Sequence, residues 1–222
     1  MLLAGATGLV GASVIHAVRE HPSFRLVALT RREVPIPRGT RMEMLVADPS
    51  GWPDAVAAIA PDAVICALGT TRREAGSEAA FRAVDHDLVL ELAVAAREAG
   101  VANFVLVSSV GANALSKTVY LRVKGEVEAA LAKLRFHRLD ILRPGLLRGR
   151  RERSGRPLER LAILASPLSD LVFHGPRRRY RSIDARTVAA AALQLAREKA
   201  AGRFVHEHDA IVRAARRLSG AS

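Results

Sequence analysis

Cysteine is nearly missing from this chain. Cys66 stands alone, so no internal disulfide can form, and a reduced, cytoplasmic setting is the expectation. Long apolar runs are missing as well. No stretch approaches the roughly 18–20 residues of a membrane span, so a spanning helix is excluded and no membrane partner is expected. The start, MLLAGATG, has no basic segment and turns to glycine after four apolar residues. A signal peptide is therefore not expected there. The seven histidines include HEH at 206–208 and the DHD of Asp85, His86 and Asp87. Neither has metal-ligand spacing, and no metal is expected. Lysine is scarce too: arginine supplies 30 of the 34 basic residues of a chain whose net charge is +12. The arginines cluster in RGRRERSGR (148–156) and PRRRYR (176–181). Such clusters are either a solvated basic surface or an anchor for nucleic acid. No helix-turn-helix pattern, zinc-finger spacing or aromatic-rich strand lies beside them. A solvated surface is the expectation, and nucleic acid is not an expected partner.

What remains is a chain that is half hydrophobic over 222 residues, enough for a large core. A single domain over 1–222 is expected, with a core over 1–147 and an extension over 148–222. Apolar runs at 2–5, 25–30, 41–48, 62–68, 103–109 and 137–145 read as strands. Helical patterns at 9–20, 51–60, 78–99 and 117–134 lie between them. This alternation predicts an α/β fold: a doubly wound, mostly parallel sheet with helices on both faces. Continuous apolar strands such as AVICAL and FVLV fit burial on both sides. After residue 147 the rhythm breaks into a basic loop-and-helix segment over 148–181. An amphipathic helix over 184–200, a short extended piece and a final helix follow.

The first strand runs into GATGLVG, which spaces Gly5, Gly8 and Gly11 at intervals of three and then opens a helix. In that context Gly5 permits a tight turn and Gly8 lets backbone approach a pyrophosphate. Gly11 lets the helix pack on the sheet. The helix N-terminus offers free N–H groups to phosphate, and the Thr7 hydroxyl adds a donor. At the end of the second strand an acidic residue would accept from a free ribose 2′-hydroxyl. This chain has Arg31 and Arg32 instead, which suit a 2′-phosphate. NADP(H) is therefore preferred, with NAD(H) possible. Asp48 ends the third strand. It would either accept from an adenine amino group or cap the next helix. Leu68, Gly69 and Thr70 follow the fourth strand, where small residues would let a dinucleotide lie across the sheet edge.

Tyr120 and Lys124 lie one helical turn apart on one face. Free tyrosine ionises near pH 10, and a neighbouring ammonium favours the phenolate. Tyrosine beside lysine can therefore serve as a proton donor or acceptor. The bland alternative is an amphipathic helix whose apolar face is Val123, Val127, Ala130 and Leu134. Upstream, Ser108 and Ser109 end the fifth strand, where a hydroxyl could bind a substrate oxygen. Cys66, inside an apolar strand, reads as core.

The motifs GATGLVG, TRRE, GTTRREAGSEAAFRAVDHDLVLELA, LVSSVGA, YLRVKGEVEAAL and LRPGLL together resemble the short-chain dehydrogenase/reductase superfamily. Within it, the chain is most similar to the atypical branch of the human Tat-interacting-protein-type oxidoreductase and its bacterial relatives. The resemblance covers about residues 1–150 and implies a Rossmann fold. It implies a Ser109–Tyr120–Lys124 active site, a phosphate turn at Gly5, Thr7, Gly8, Leu9 and Val10, and a turn at Pro144 and Gly145 bordering the nicotinamide. Asp85 departs from it, standing where many extended members carry asparagine. The expected function is hydride transfer between a nicotinamide and a small carbonyl or alcohol substrate, by a monomer or homodimer. The alternative is a sensor or regulatory partner that binds NADPH without turning over.

Overall fold

A computed structural model describes residues 1–149 and 179–220 of the chain. Strands β1 (Leu2–Ala4), β2 (Leu26–Thr30), β3 (Met42–Val46), β4 (Ala63–Cys66), β5 (Asn103–Val107), β6 (Arg138–Leu142) and β9 (Gly202–His206) form one seven-stranded sheet in the order β3-β2-β1-β4-β5-β6-β9. Every neighbouring pair is parallel. Two two-residue strands, β7 (Leu147–Arg148) and β8 (Ile183–Asp184), pair beside it. The expected α/β sheet is therefore present, and its edge carries one strand that the sequence marked only as a short extended piece.

The helices are α1 (Leu9–Glu20), α2 (Trp52–Ile59), α3 (Arg72–Ala75), α4 (Glu78–Arg82), α5 (Leu88–Glu98), α6 (Val119–Lys133), α7 (Ala185–Ala196) and α8 (His208–Ser219). A π turn over Ala83–Asp87 joins α4 to α5, so the single helix expected over 78–99 is interrupted. Side chains alternate across each central strand because successive residues of a strand point to opposite faces. In β4, Ala63 and Ile65 enter a core with α1, α7 and α8, while Val64 and Cys66 enter another with α2, α5 and α6. Both faces are apolar, which is why β4 and β5 read as unbroken hydrophobic runs. At the edge, β3 is half exposed, and Leu45 and Val46 face solvent.

The order matters for function. From β1 the chain builds outward to β2 and β3, then crosses back to place β4 on the other side of β1. The carboxyl ends of β1 and β4 therefore face the crevice where doubly wound sheets take their ligands.

Candidate functional site

The turn after β1 is held by its own backbone. Gly5 has φ +90, and the Gly8 N–H donates to the Gly5 carbonyl at 3.1 Å. A Cβ on Gly5 would lie 2.3 Å from the Ala67 carbonyl oxygen, and one on Gly11 would lie 2.1 Å from the Gly5 oxygen. Both glycines are therefore required by the protein itself. Gly8 is different. Its backbone is extended (φ −80, ψ 168), and a Cβ there would meet nothing nearer than the Gly5 oxygen at 3.4 Å. Among the described residues, neither conformation nor packing demands glycine at this position. A ligand backbone lying against it would. Gly8 is also the N-cap of α1, which has no side-chain cap and no acidic residue in its first turn. The exposed N–H groups and positive dipole end suit a phosphate. The turn thus fits a dinucleotide pyrophosphate. Thr7 is exposed at its tip, Leu9 is half-buried, and Val10 anchors the helix in the core.

Arg31 and Arg32 follow β2 and are exposed. The Thr30 hydroxyl donates to the Arg32 carbonyl at 2.7 Å and turns the chain there. Asp48 caps the 3₁₀ turn Pro49–Gly51, and its Oδ1 accepts from the Ser50 N–H at 3.0 Å and the Ser50 hydroxyl at 2.8 Å. These bonds, with the charge of Arg31, hold the Asp48 carboxyl below the usual range. Of the two roles expected for Asp48, capping is realised, and the carboxylate also lies within electrostatic reach of Arg31.

The second part of the site gathers at the ends of β4 and β5. Lys124, on α6, is buried, and its Nζ lies 2.8 Å from Asp85 Oδ1. Asp85 Oδ2 accepts the Thr70 N–H, also at 2.8 Å. Gly69 lies against both: a Cβ there would stand 3.3 Å from Asp85 Oδ1 and 3.6 Å from Lys124 Nζ. Leu68 is half-buried against the core that β4 shares with α2, α5 and α6. Burial alone would push the Lys124 ammonium down. The carboxylate of Asp85, with contributions from Tyr120 and Cys66, overrides it and holds Lys124 above a lysine's ordinary value. Burial pushes the Cys66 thiol up to about 11. Tyr120 is half-buried, and its ring packs on Phe81 of α4 with centroids 5.7 Å apart.

The two serines divide their roles. The buried Ser108 hydroxyl donates to Glu128 of α6, whose carboxylate also takes Arg143 through Nε at 3.1 Å and a guanidinium N–H at 2.5 Å. Ser109 is half-buried, and among the described residues its hydroxyl makes only a long 3.4 Å contact to the Val110 carbonyl. It is the serine free to meet a ligand. The Pro144 carbonyl accepts the Val110 N–H at 2.9 Å, and a Cβ on Gly145 would lie 2.3 Å from the Arg181 carbonyl oxygen. The turn after β6 is thus clamped between the β5 end and the returning chain. Gly125 was not singled out in the sequence, yet it is essential: a Cβ there would lie 2.2 Å from the Ala114 nitrogen, so glycine lets the loop after β5 press onto α6.

Comparison with known proteins settles the family. A model described as NAD(P)H-binding matches residues 5–199. The chain belongs to this NAD(P)H-binding family. Among curated members' relatives, the protein fmp52, mitochondrial, of Emericella nidulans is 40% identical over 167 residues, covering 72% of this chain and 71% of that one. Protein FMP52, mitochondrial, of Saccharomyces cerevisiae is 40% identical over 156 residues, 69% of this chain and 68% of that one. Among solved structures, MoeE5 in complex with UDP-glucose and NAD superposes with a TM-score of 0.69 at 17% identity, over 99% of this chain and 81% of that one. That likeness shows a Rossmann-type fold. The family match supports a nicotinamide cofactor for this chain. One expectation is overturned. The cytoplasmic setting does not stand, because the relatives at about 40% identity are named as mitochondrial. A lone cysteine excludes an internal disulfide but does not choose among reducing compartments. The loop-and-helix reading of 148–181 falls mostly on 150–178, outside the described residues.

Proposed function

We propose that the protein is an NADP(H)-dependent oxidoreductase acting on a small carbonyl or alcohol, with Ser109, Tyr120 and Lys124 as its reacting centre. The observation that carries this reading is a buried lysine ammonium one helical turn from a tyrosine, held at the carboxyl edge of the sheet beside Gly69. A solvated helix face has no reason to bury that charge. When bound, the nicotinamide supplies or receives the hydride.

The chain's own groups do the rest. The turn from Gly5 to Val10 would hold the pyrophosphate on the N-terminus of α1. Arg31 and Arg32 would pair with a 2′-phosphate, and Asp48 beside Arg31 would lie at the adenosine end. Leu68, Gly69 and Thr70 would line the crossing, and Pro144 and Gly145 would border the nicotinamide. The Tyr120 hydroxyl donates a proton to the substrate oxygen during reduction and takes one back during oxidation. Lys124 stabilises the negative charge left on the tyrosine oxygen. The Ser109 hydroxyl donates to the same substrate oxygen. Of possible compartments, the names of the relatives support a mitochondrial one.

The test is Tyr120→Phe, assayed by NADPH absorbance against a panel of carbonyl compounds. The expected result is a fall in kcat of about 10²–10⁴-fold with NADPH affinity retained. Full turnover in the variant overturns the assignment. Tight NADPH binding by the unmodified protein with no turnover on any compound would favour a cofactor sensor. Replacing Arg31 and Arg32 by alanine should erase a preference for NADPH over NADH. An unchanged preference removes the arginines from that role.

A further inference from the structure

We propose that Asp85 is the positioning residue of the Tyr120–Lys124 pair, tying the lysine ammonium to the backbone at the end of β4. This deepens the reading above and rests on it only for what the tyrosine does. Asp85 is fully buried, and its two oxygens are divided between two tasks. One lies 2.8 Å from Lys124 Nζ, and the other accepts the Thr70 N–H at 2.8 Å.

The backbone is arranged for this. Asp85 sits at the middle of the π turn Ala83–Asp87, between two α-helical segments. A π turn inserts an extra residue and re-aims side chains, and such turns concentrate at functional sites. Its neighbours His86 and Asp87 pair with each other at 2.7 Å, near the surface. Asp85 alone points inward. Gly69 makes room, since a Cβ there would press tightly on Asp85 Oδ1 at 3.3 Å and touch Lys124 Nζ at 3.6 Å. The charged or titratable groups facing Lys124 come from three elements. They are Asp85 from the π turn, Tyr120 from α6 itself, and Cys66 from the end of β4. Of these, only Asp85 is in ion-pair contact with the ammonium.

An uncompensated ammonium in this setting would lose its proton more easily, because burial disfavours the charged form. Asparagine at position 85 has the right shape but one acceptor oxygen, so it cannot serve both Lys124 and Thr70. Asp85→Asn therefore separates the electrostatic role from the steric one.

The experiment uses the full chain, with lysine labelled by ¹³C at Cε and followed by NMR over pH. The chain has four lysines, and Lys117, Lys133 and Lys199 are exposed. The Lys124 signal is assigned by its loss in Lys124→Arg. In the unmodified protein Lys124 is expected to titrate above the other three. A midpoint below theirs overturns the proposal without need of a variant. In Asp85→Asn the midpoint is expected to fall by about one to three pH units, and an unmoved midpoint also overturns it. The alkaline limb of kcat/KM should fall to lower pH by a matching amount in Asp85→Asn. A profile that is scaled down but not shifted overturns the positioning role. If no substrate is ever turned over, the hydride-transfer reading fails, while the lysine titration still decides whether Asp85 holds Lys124.

Discussion

Two buried aspartates, Asp85 and Asp140, meet basic partners in this protein, and they do so in opposite ways. Asp140, on β6, is gripped by both forks of Arg138, at 2.6 and 3.0 Å, and by His206 Nε2 at 2.7 Å. Arg138 also donates to the Ala200 carbonyl at 2.8 Å and stacks over the Phe204 ring at 4.3 Å. Bidentate geometry with additional bonds is the form in which a buried ion pair recovers its desolvation cost. The cluster ties β6 to β9 and so fastens the last strand to the sheet. Asp85 instead faces a point charge on a flexible stem, with one oxygen for Lys124 and one for a backbone N–H. An ammonium has three donors, and Asp85 faces it with a single oxygen. A saturated cluster is suited to holding a fold together. An unsaturated one at the mouth of the sheet is suited to receiving a ligand.

The largest expected effect breaks the saturated cluster. Asp140→Ala strands the buried Arg138 and should cost about 3–5 kcal/mol of stability. Urea unfolding would read this, while NADPH affinity per folded molecule should be unchanged. Asp85→Ala should cost less, about 1–3 kcal/mol, because the long lysine stem can carry its head toward the sheet edge. It should also disturb the site. Equal stability losses from the two substitutions would sink the contrast.

A smaller effect separates the two regions by pH. The Cys66 thiol ionises near 9 in an unfolded chain and at about 11 when buried here. The folded form therefore binds the proton more tightly in that window. Stability is intact below pH 9 and falls as pH rises toward 11, by about 3 kcal/mol for a shift of this size. Lys124, also raised, acts with the same sign: its contribution is present below a lysine's ordinary value and is lost above its folded one. The β6–β9 cluster is built on arginine, a side chain that does not deprotonate in proteins, so it holds. Alkaline loosening should thus begin at the site end. Unfolding measured from pH 8 to 11 should show a flatter decline in Cys66→Ala than in the unmodified chain, and parallel declines would refute this.

How legible each region was follows from what its residues do. The phosphate turn and the central strands could be read directly. Glycine at Gly5 and Gly11 performs backbone work that no other residue can, and a strand buried on both faces must be apolar throughout. The cytoplasmic expectation failed because composition speaks to redox state and not to address. Asp85 was visible only as a departure from a family pattern. In DHD it looks like one of three surface polar residues, and its burial depends on a π turn that periodicity does not reveal. The Ser108–Glu128–Arg143 network was missed for a similar reason, since its members lie on three different elements. One signal was available: Glu128 follows Lys124 by four, which places both on one helix face. That face is also why the apolar side of α6 differs from expectation. Val123 and Val127 are buried as expected, but Leu131 completes the stripe, while Ala130 and Leu134 are only half-buried.

The smallest expected effect on stability concerns Gly8, where binding should move and stability should barely do so. Gly8→Ala places a methyl in ordinary contact with the Gly5 oxygen, at a backbone conformation alanine adopts freely. Restricting the unfolded chain favours folding by about 0.4–1 kcal/mol, but alanine is a poorer N-cap for α1 than glycine by a similar amount, so stability should barely move. The same methyl occupies the face a pyrophosphate would need, and NADPH affinity should fall about tenfold, roughly 1.4 kcal/mol. Gly5→Ala provides the opposite control, because φ +90 and a 2.3 Å approach to the Ala67 oxygen make it destabilising whether or not a ligand binds. Thermal melts with and without NADPH would read both quantities in one experiment. If Gly8→Ala folds as stably as the unmodified chain and still gains as much from NADPH, no ligand backbone rests on Gly8, and the dinucleotide must lie elsewhere along the sheet edge.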